Sequence, residues 1–214
     1  LKLSDLIAET RRRLDDQAAP YLWSDEELTA YLNAAEREAC ERAKLIEDDS
    51  SAMTLLNLVA GTAKYNLNPL ILGVNRVFMR GRALDRTTRE KLDDTSGRWE
   101  DDTGEPRAFM DEVRYLRLYP QPTEDDTARL TVWRLPLLPM EDEDDEPEIG
   151  ERYHLRMLDW AIRLAYLKRD ADAFDQAKAD KHEAMFINSF GIRPDSNVQR
   201  KQRLKKVPVC RPHW

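Results

Sequence analysis

Tyr115-Leu116-Arg117-Leu118-Tyr119-Pro120-Gln121-Pro122 decides how the rest of the chain is read. Tyr115, Arg117 and Tyr119 fall on one side of an extended backbone and Leu116 and Leu118 on the other, and two prolines stop the pattern at a turn. This is a short strand. To its N-terminal side the period stays short: 53–59, 72–79, 107–111 and 113–119 read as strands, broken by Gly61, Asn68-Pro69, Gly81 and Gly104-Glu105-Pro106. To its C-terminal side 127–135 reads the same way, with Ala128, Leu130 and Val132 on one face and Thr131, Trp133 and Leu135 on the other. Short strands in succession with tight turns predict an antiparallel sheet or small sandwich. Between them, Thr87-Thr88-Arg89-Glu90 has capping-box spacing and predicts one or two helical turns ending near Asp94.

Both ends of the chain carry helical spacing instead. Leu3, Leu6, Ile7 and Leu14 share a face, with Arg11, Arg12 and Arg13 where the helix dipole favours cations. Pro20 separates this helix from a second, which starts at Ser24 with Glu27 completing a capping box. Leu28, Tyr31, Leu32, Ala35, Ala39 and Ile46 mark its stripe, and Cys40 beside it reads as a small buried hydrophobe. A third helix is announced by Pro147-Glu148-Ile149-Gly150-Glu151-Arg152-Tyr153-His154, and eleven of the fifteen residues 153–167 are apolar, which predicts a central position. After Asp170–Asp172 a fourth helix carries Phe174, Ala177, Ala184 and Ile187 as its stripe and stops at Gly191, with Pro194 beyond. The fold class expected is therefore α+β. N- and C-terminal helices form a bundle (1–50 with 151–190), an antiparallel β-rich insertion spans 51–150 and includes an acidic linker at 141–148, and 191–214 is an extended basic arm.

Charge is distributed unevenly. The 214 residues carry a net charge of −7, yet 191–214 holds seven Lys/Arg and one acid, leaving 27 basic and 40 acidic side chains in the other 190. An acidic body argues against a body that grips nucleic acid, since duplex binding rests on phosphate neutralisation. It suits a protein that must not adhere to DNA, or one whose tail seeks an acidic surface. No run approaches the roughly 18–20 apolar residues that span a bilayer, so no membrane association is expected. The opening residues show no signal-peptide pattern, so no export is expected. The distant pair Cys40 and Cys210 reads as reduced.

A search for chemistry yields no catalytic residue, no metal site and no cofactor site. His154, His182 and His213 lack a second ligand at i+3 or i+4. Cys210-Arg211-Pro212-His213 reads as an incidental pair. There is no phosphate-cradling glycine loop and no nucleophile elbow. Two charged segments remain. Residues 141–148 hold seven acids and one proline. They read either as a solvated linker that favours the following helix start, or as a negative surface (Glu141, Asp142, Glu143, Asp144, Asp145, Glu146) past which DNA slides without binding. The tail, with Arg200, Lys201, Arg203, Lys205, Lys206 and Trp214, reads as a segment that folds on an acidic, partly apolar partner; a solubilising end and non-specific DNA contact are its alternatives. Trp160 reads as core, Trp23 as a staple near Leu28, and Trp99 and Trp133 as core or subunit contacts.

The order of parts resembles the head-to-tail adaptor proteins of podoviruses and related tailed phages. The resemblance rests on residues 22–46, on Tyr115 to Pro122, and on Arg134-Leu135-Pro136-Leu137-Leu138-Pro139 followed by 147–153 and the apolar helix. It covers most of residues 3–190. What it implies is a structural, non-enzymatic virion protein at the neck, assembled in the host bacterial cytoplasm as a homo-oligomeric ring of twelve copies. Its partners would be the portal protein and the tail nozzle or other neck components, with DNA passing through unbound at ejection. The basic arm would reach the portal. The competing reading is a small nucleic-acid-binding or scaffold protein using its basic tail.

Overall fold

A computed structural model describes residues 1–95, 97–112, 114–170 and 172–195. In chain order the elements are α1 (Leu3–Leu14), α2 (Asp25–Ala43), β1 (Ile46–Asp48), β2 (Leu55–Leu58), β3 (Lys64–Asn66), β4 (Ile71–Met79), β5 (Arg82–Ala83) and β6 (Asp85–Arg86). There follow α3 (Arg89–Asp93), β7 (Ala108–Asp111), β8 (Tyr115–Tyr119), β9 (Asp126–Arg134), α4 (His154–Tyr166) and α5 (Gln176–Phe190). The fold is mixed α and β, as the periodicities imply. Two compact units divide it: Leu1–Ile46 with Arg134–Arg193, and a second built on Glu47–Trp133.

In the first unit α1, α2 and α5 all pack on α4. Met157, Leu158, Ala161 and Ile162 of α4 are fully buried, which explains why that helix is apolar around most of its circumference. The Ser24 capping box forms in both directions, Ser24 Oγ accepting from the Glu27 N–H (3.2 Å) and Glu27 Oε2 from the Ser24 N–H (3.0 Å). Trp23, just before it, is buried edge-on to Tyr166 and donates its indole N–H to the Ala165 carbonyl. Three expectations need correction here. First, α2 ends at Ala43, because Lys44 turns left-handed (φ +51°) and gives its N–H to the Cys40 carbonyl; Ile46 belongs to β1 and not to the α2 stripe. Second, the stripe of α5 is Ala179, Phe186 and Phe190. Phe174, Ala177 and Ala184 are exposed and Ile187 is half-buried, since the helix starts only at Gln176 with Asp175 as its N-cap. Gly191 does close it, at φ +84°, its N–H on the Ile187 carbonyl.

The third correction concerns 134–150, expected with the β-rich insertion and clustered instead with the helices. Leu3 and Ser4 begin α1 with N–H groups that have no partner inside the helix. They donate to the carbonyls of Asp145 (2.7 Å) and Glu143 (3.1 Å). Asn33 of α2 exchanges two hydrogen bonds with the Met140 backbone, and Ile149 donates its N–H to Glu36. The acidic run is thus a backbone cap of the first helix rather than a free linker. A run of acids can still be held through its carbonyls.

The second unit has two sheets. One has the order β1-β9-β4-β5, with β2 also paired to β9; the other is β3-β8-β7-β6. Register is set by antiparallel pairs such as Leu55 with Arg129 and Ala108 with Tyr119. Both sheets feed one core: Val74, Val77, Leu130 and Val132 meet Phe109, Leu116 and Leu118. The antiparallel expectation fails where β6 pairs parallel to β7, and the isolated Thr103–Gln121 bridge is parallel as well. The crossover through α3 delivers the chain to the same end of the sheet, as parallel neighbours require. That crossover lays Leu92 and Trp99 on Met110, so β8 is covered on both faces: Leu116 and Leu118 inside, and Arg117 beneath Trp99, its guanidinium 4.5 Å from the ring and 3.1 Å from Glu100. Residues 113–119 were expected as one strand; β8 runs Tyr115–Tyr119, and Val113 lies outside the described residues.

Candidate partner-binding surfaces

The acidic segment is shaped by its own backbone. Asp145 folds back so that one carboxylate oxygen accepts the N–H groups of Glu141 (2.8 Å) and Asp142 (2.9 Å), and these hydrogen bonds hold its carboxyl below the ordinary carboxylate range. The turn closes with the Asp145 N–H on the Asp142 carbonyl. Asp144 pairs with Lys2 at 2.7 Å. Glu141, Asp142, Glu143, Asp144 and Glu146 are exposed and Asp145 is half-buried. Among the described residues, Glu141, Asp142 and Glu143 face no cation within ion-pair distance. The predicted acidic patch is therefore a surface feature, but Asp145 and the carbonyls of Glu143 and Asp145 are structural parts of it.

Upstream of the acids, Leu137-Leu138-Pro139 forms an exposed loop that leaves the buried Pro136. Arg134, buried, clamps it by donating to both oxygens of Glu148 and to the Leu135 carbonyl, while Glu148 also takes the Leu137 N–H. Leu138 at its tip is 79% exposed. Sequence reasoning did not single out Arg134 or Glu148. A 14-residue separation carries no local signature, although two prolines bracketing two leucines mark a rigid, outward loop.

The root of the basic arm is also fixed. Arg42 donates to the Gly191 carbonyl (3.1 Å) and pairs with Glu38 (2.8 Å), and its guanidinium lies over Trp160 and Phe186. Arg193 pairs with Glu41 at 3.0 Å. Trp160, expected as core, is only half-buried, with Arg42 on one approach and Arg163 on another. Arg200, Lys201, Arg203, Lys205, Lys206 and Trp214 lie outside the described residues.

The buried polar groups of the helical unit support structure. His154 donates from Nε2 to the Ile149 carbonyl, and His182 pairs through Nδ1 with Asp159. Burial pushes the Cys40 thiol up to about 12, the pattern of an inert side chain. Glu36, 2% exposed, has its carboxyl raised by burial, partly offset by N–H groups of Ile149 and Glu148. A raised folded-state value means stability is fullest below the ordinary carboxylate range and is lost as pH rises through the folded value. Glu36→Gln, whose amide oxygen can still accept the Ile149 N–H, is therefore expected to melt higher than the parent at pH 7. That gain should shrink to nothing near pH 4 and below; thermal melts across the series check it.

Among the described residues no group of three or more His, Cys, Asp or Glu side chains is placed to hold a metal ion, and no helix is long and apolar enough to cross a membrane. The described residues bring together exposed charge and exposed leucine on a braced frame. The chain belongs to the SU10 adaptor protein family, whose match runs over residues 1–209. This is a phage head-to-tail adaptor family, in agreement with the resemblance drawn from the sequence, and it makes the protein a structural component of the virion. No curated protein matches the chain.

Proposed function

We propose that this protein joins the portal to the tail nozzle or other neck proteins as a closed ring of about twelve copies around the DNA path, a stoichiometry taken from the resemblance and in keeping with the closed symmetry of most oligomers. In this reading 191–214 is the portal-binding arm, with Arg200, Lys201, Arg203, Lys205, Lys206 and Trp214 making the contact. Residues 141–146 line the channel. DNA passes them without binding, because like charge repels phosphate. The observation that carries the reading is the extent of the family match, which continues through the basic segment to residue 209. The rigid root at Arg42, Gly191 and Arg193 supports it by giving the arm a fixed point of departure.

Electron microscopy of the chain co-expressed with the portal of its own phage tests this. The expected result is a ring with a central hole docked on the portal. A monomer absent from virions and turning over a substrate overturns it. For the channel surface, replacing Glu141, Asp142, Glu143, Asp144 and Glu146 with serine while keeping Asp145 should leave melting within about 1 kcal/mol of the parent, since exposed charges contribute little. Among assembled particles carrying that variant, slower DNA ejection is the expected functional result; unchanged ejection removes the channel role. The +6 charge of 191–214 favours one other reading, a nucleic-acid-binding protein. Its signature is a salt-sensitive gel shift by the isolated chain that is lost when the arm is neutralised.

A further inference from the structure

Of the apolar stripe expected for α5, Ala177 and Ala184 face outward, while Ile187 is half-buried and Phe174 precedes the helix. The helix buries Ala179, Phe186 and Phe190 against α4 and leaves Ala177, Lys181, Ala184 and Met185 on the opposite side, with Phe174 before it and Ile192 after. Phe174 is 52% exposed, Met185 41% and Ile192 79%. The outer side of α5 is mixed, an exposed Ala177, Ala184 and Met185 patch beside Asp180, Lys181 and Asn188. Lys181 stands at the centre of that side, paired with no carboxylate among the described residues. The same unit carries a complementary feature elsewhere. The Leu137-Leu138 tip is exposed, braced by Arg134 and Glu148, and followed at once by Glu141, Asp142 and Glu143, which have no cation of their own among the described residues.

We propose that the outer face of α5 receives the 137–143 loop of a second copy of this chain. Leucine meets the alanine and methionine patch, and the loop carboxylates meet Lys181 at the rim of the channel, where one lysine against three acids leaves the lining negative. The two surfaces are different parts of one unit, so the contact is heterologous, the kind that repeats around a ring and closes it. This rests on the ring reading above and names the surfaces that would build it.

The test uses the full chain, alone and co-expressed with its portal. The size of the assembly is read by mass photometry and ring closure by electron microscopy. Met185→Asp and Lys181→Glu, both at exposed positions, should leave the circular dichroism melt unchanged and weaken copy-to-copy association by roughly a hundredfold, because each puts an unpaired acid in the interface. Carbodiimide treatment of mixed light and heavy-isotope material should then join Lys181 of one copy to Glu141, Asp142 or Glu143 of another. If the parent assembles, and both variants assemble as well with no such cross-link, this surface is wrong while the ring stands. If α5 cross-links to α5, the contact is isologous and the proposal falls. If the parent forms no ring in either setting, the ring reading fails and takes this proposal with it.

Discussion

Arg11→Met is expected to destabilise the helical unit by about 3–5 kcal/mol, the cost of stranding a buried charge whose partner has been removed. Arg11 is a hub between α1 and the loop that leads to α2. One guanidinium nitrogen donates to Asp16 at 2.6 Å; the other donates to the Trp23 carbonyl at 2.8 Å and to Asp25 at 2.7 Å. The group also lies 3.9 Å over the Tyr21 ring. Asp16, its side chain 3% exposed, spends its second oxygen on the Leu22 N–H. Methionine keeps the apolar stem and the helix propensity of α1 but leaves Asp16 ionised in a place with one remaining donor. Asp25, at the solvent edge, loses little. The double change Arg11→Met with Asp16→Asn should recover part of the loss, because the buried charge is gone while the asparagine oxygen can still accept from Leu22. Urea unfolding of the parent, the single variant and the double variant checks this. Equal stability of the single and double variants would show that the damage lies in packing and not in the stranded carboxylate.

Arg11 also shows what local pattern can and cannot reveal. In the sequence it is one of three consecutive arginines at a helix C-terminus, where the dipole alone accounts for them. Nothing local says that Arg12 and Arg13 pair with Glu9 on the surface while Arg11 is buried. Interactions along the chain were legible: the Ser24 box, the Gly191 stop, the alternation of Ala128, Leu130 and Val132. Interactions across it were not. Arg117 alternates outward in its strand, as a solvent-facing residue would, and is buried because a crossover from residues 89–102 returns over it. β3, β5 and β6 are two or three residues long, too short for a period to emerge, and the parallel β6–β7 pair is a matter of return path. The acidic run misleads for a related reason: side-chain composition says solvated, while its carbonyls do the holding. In α5 both faces carry apolar residues, so periodicity finds a stripe without saying which one is buried. Of the site residues, Glu141, Asp142, Glu143, Asp144 and Glu146 are exposed while Asp145 folds inward onto its own backbone; that distinction, and the clamp of Arg134 and Glu148 that braces their loop, required the tertiary fold.

Deleting 197–214 is the second large effect, and it should fall on docking alone. Among the described residues, the hydrogen bonds that end α5 lie upstream of the cut: the Gly191 N–H on Ile187, the Gly191 carbonyl on Arg42, and Arg193 on Glu41. The truncated protein is therefore expected to melt within about 1 kcal/mol of the parent, since surface groups away from such features contribute little. Its co-purification with the portal should drop by on the order of a hundredfold or more, as expected when a cluster of cations and a terminal tryptophan are lost together from one interface. Two narrower variants separate the contributions. Replacing Arg200, Lys201, Arg203, Lys205 and Lys206 with serine should abolish whatever part of the binding weakens with salt, because that part is screened charge. Trp214→Ala should weaken binding equally at low and high salt, as an apolar anchor does. A truncated chain that docks normally removes the arm from the portal contact, and the basic tail then belongs with the nucleic-acid reading, where the gel shift decides.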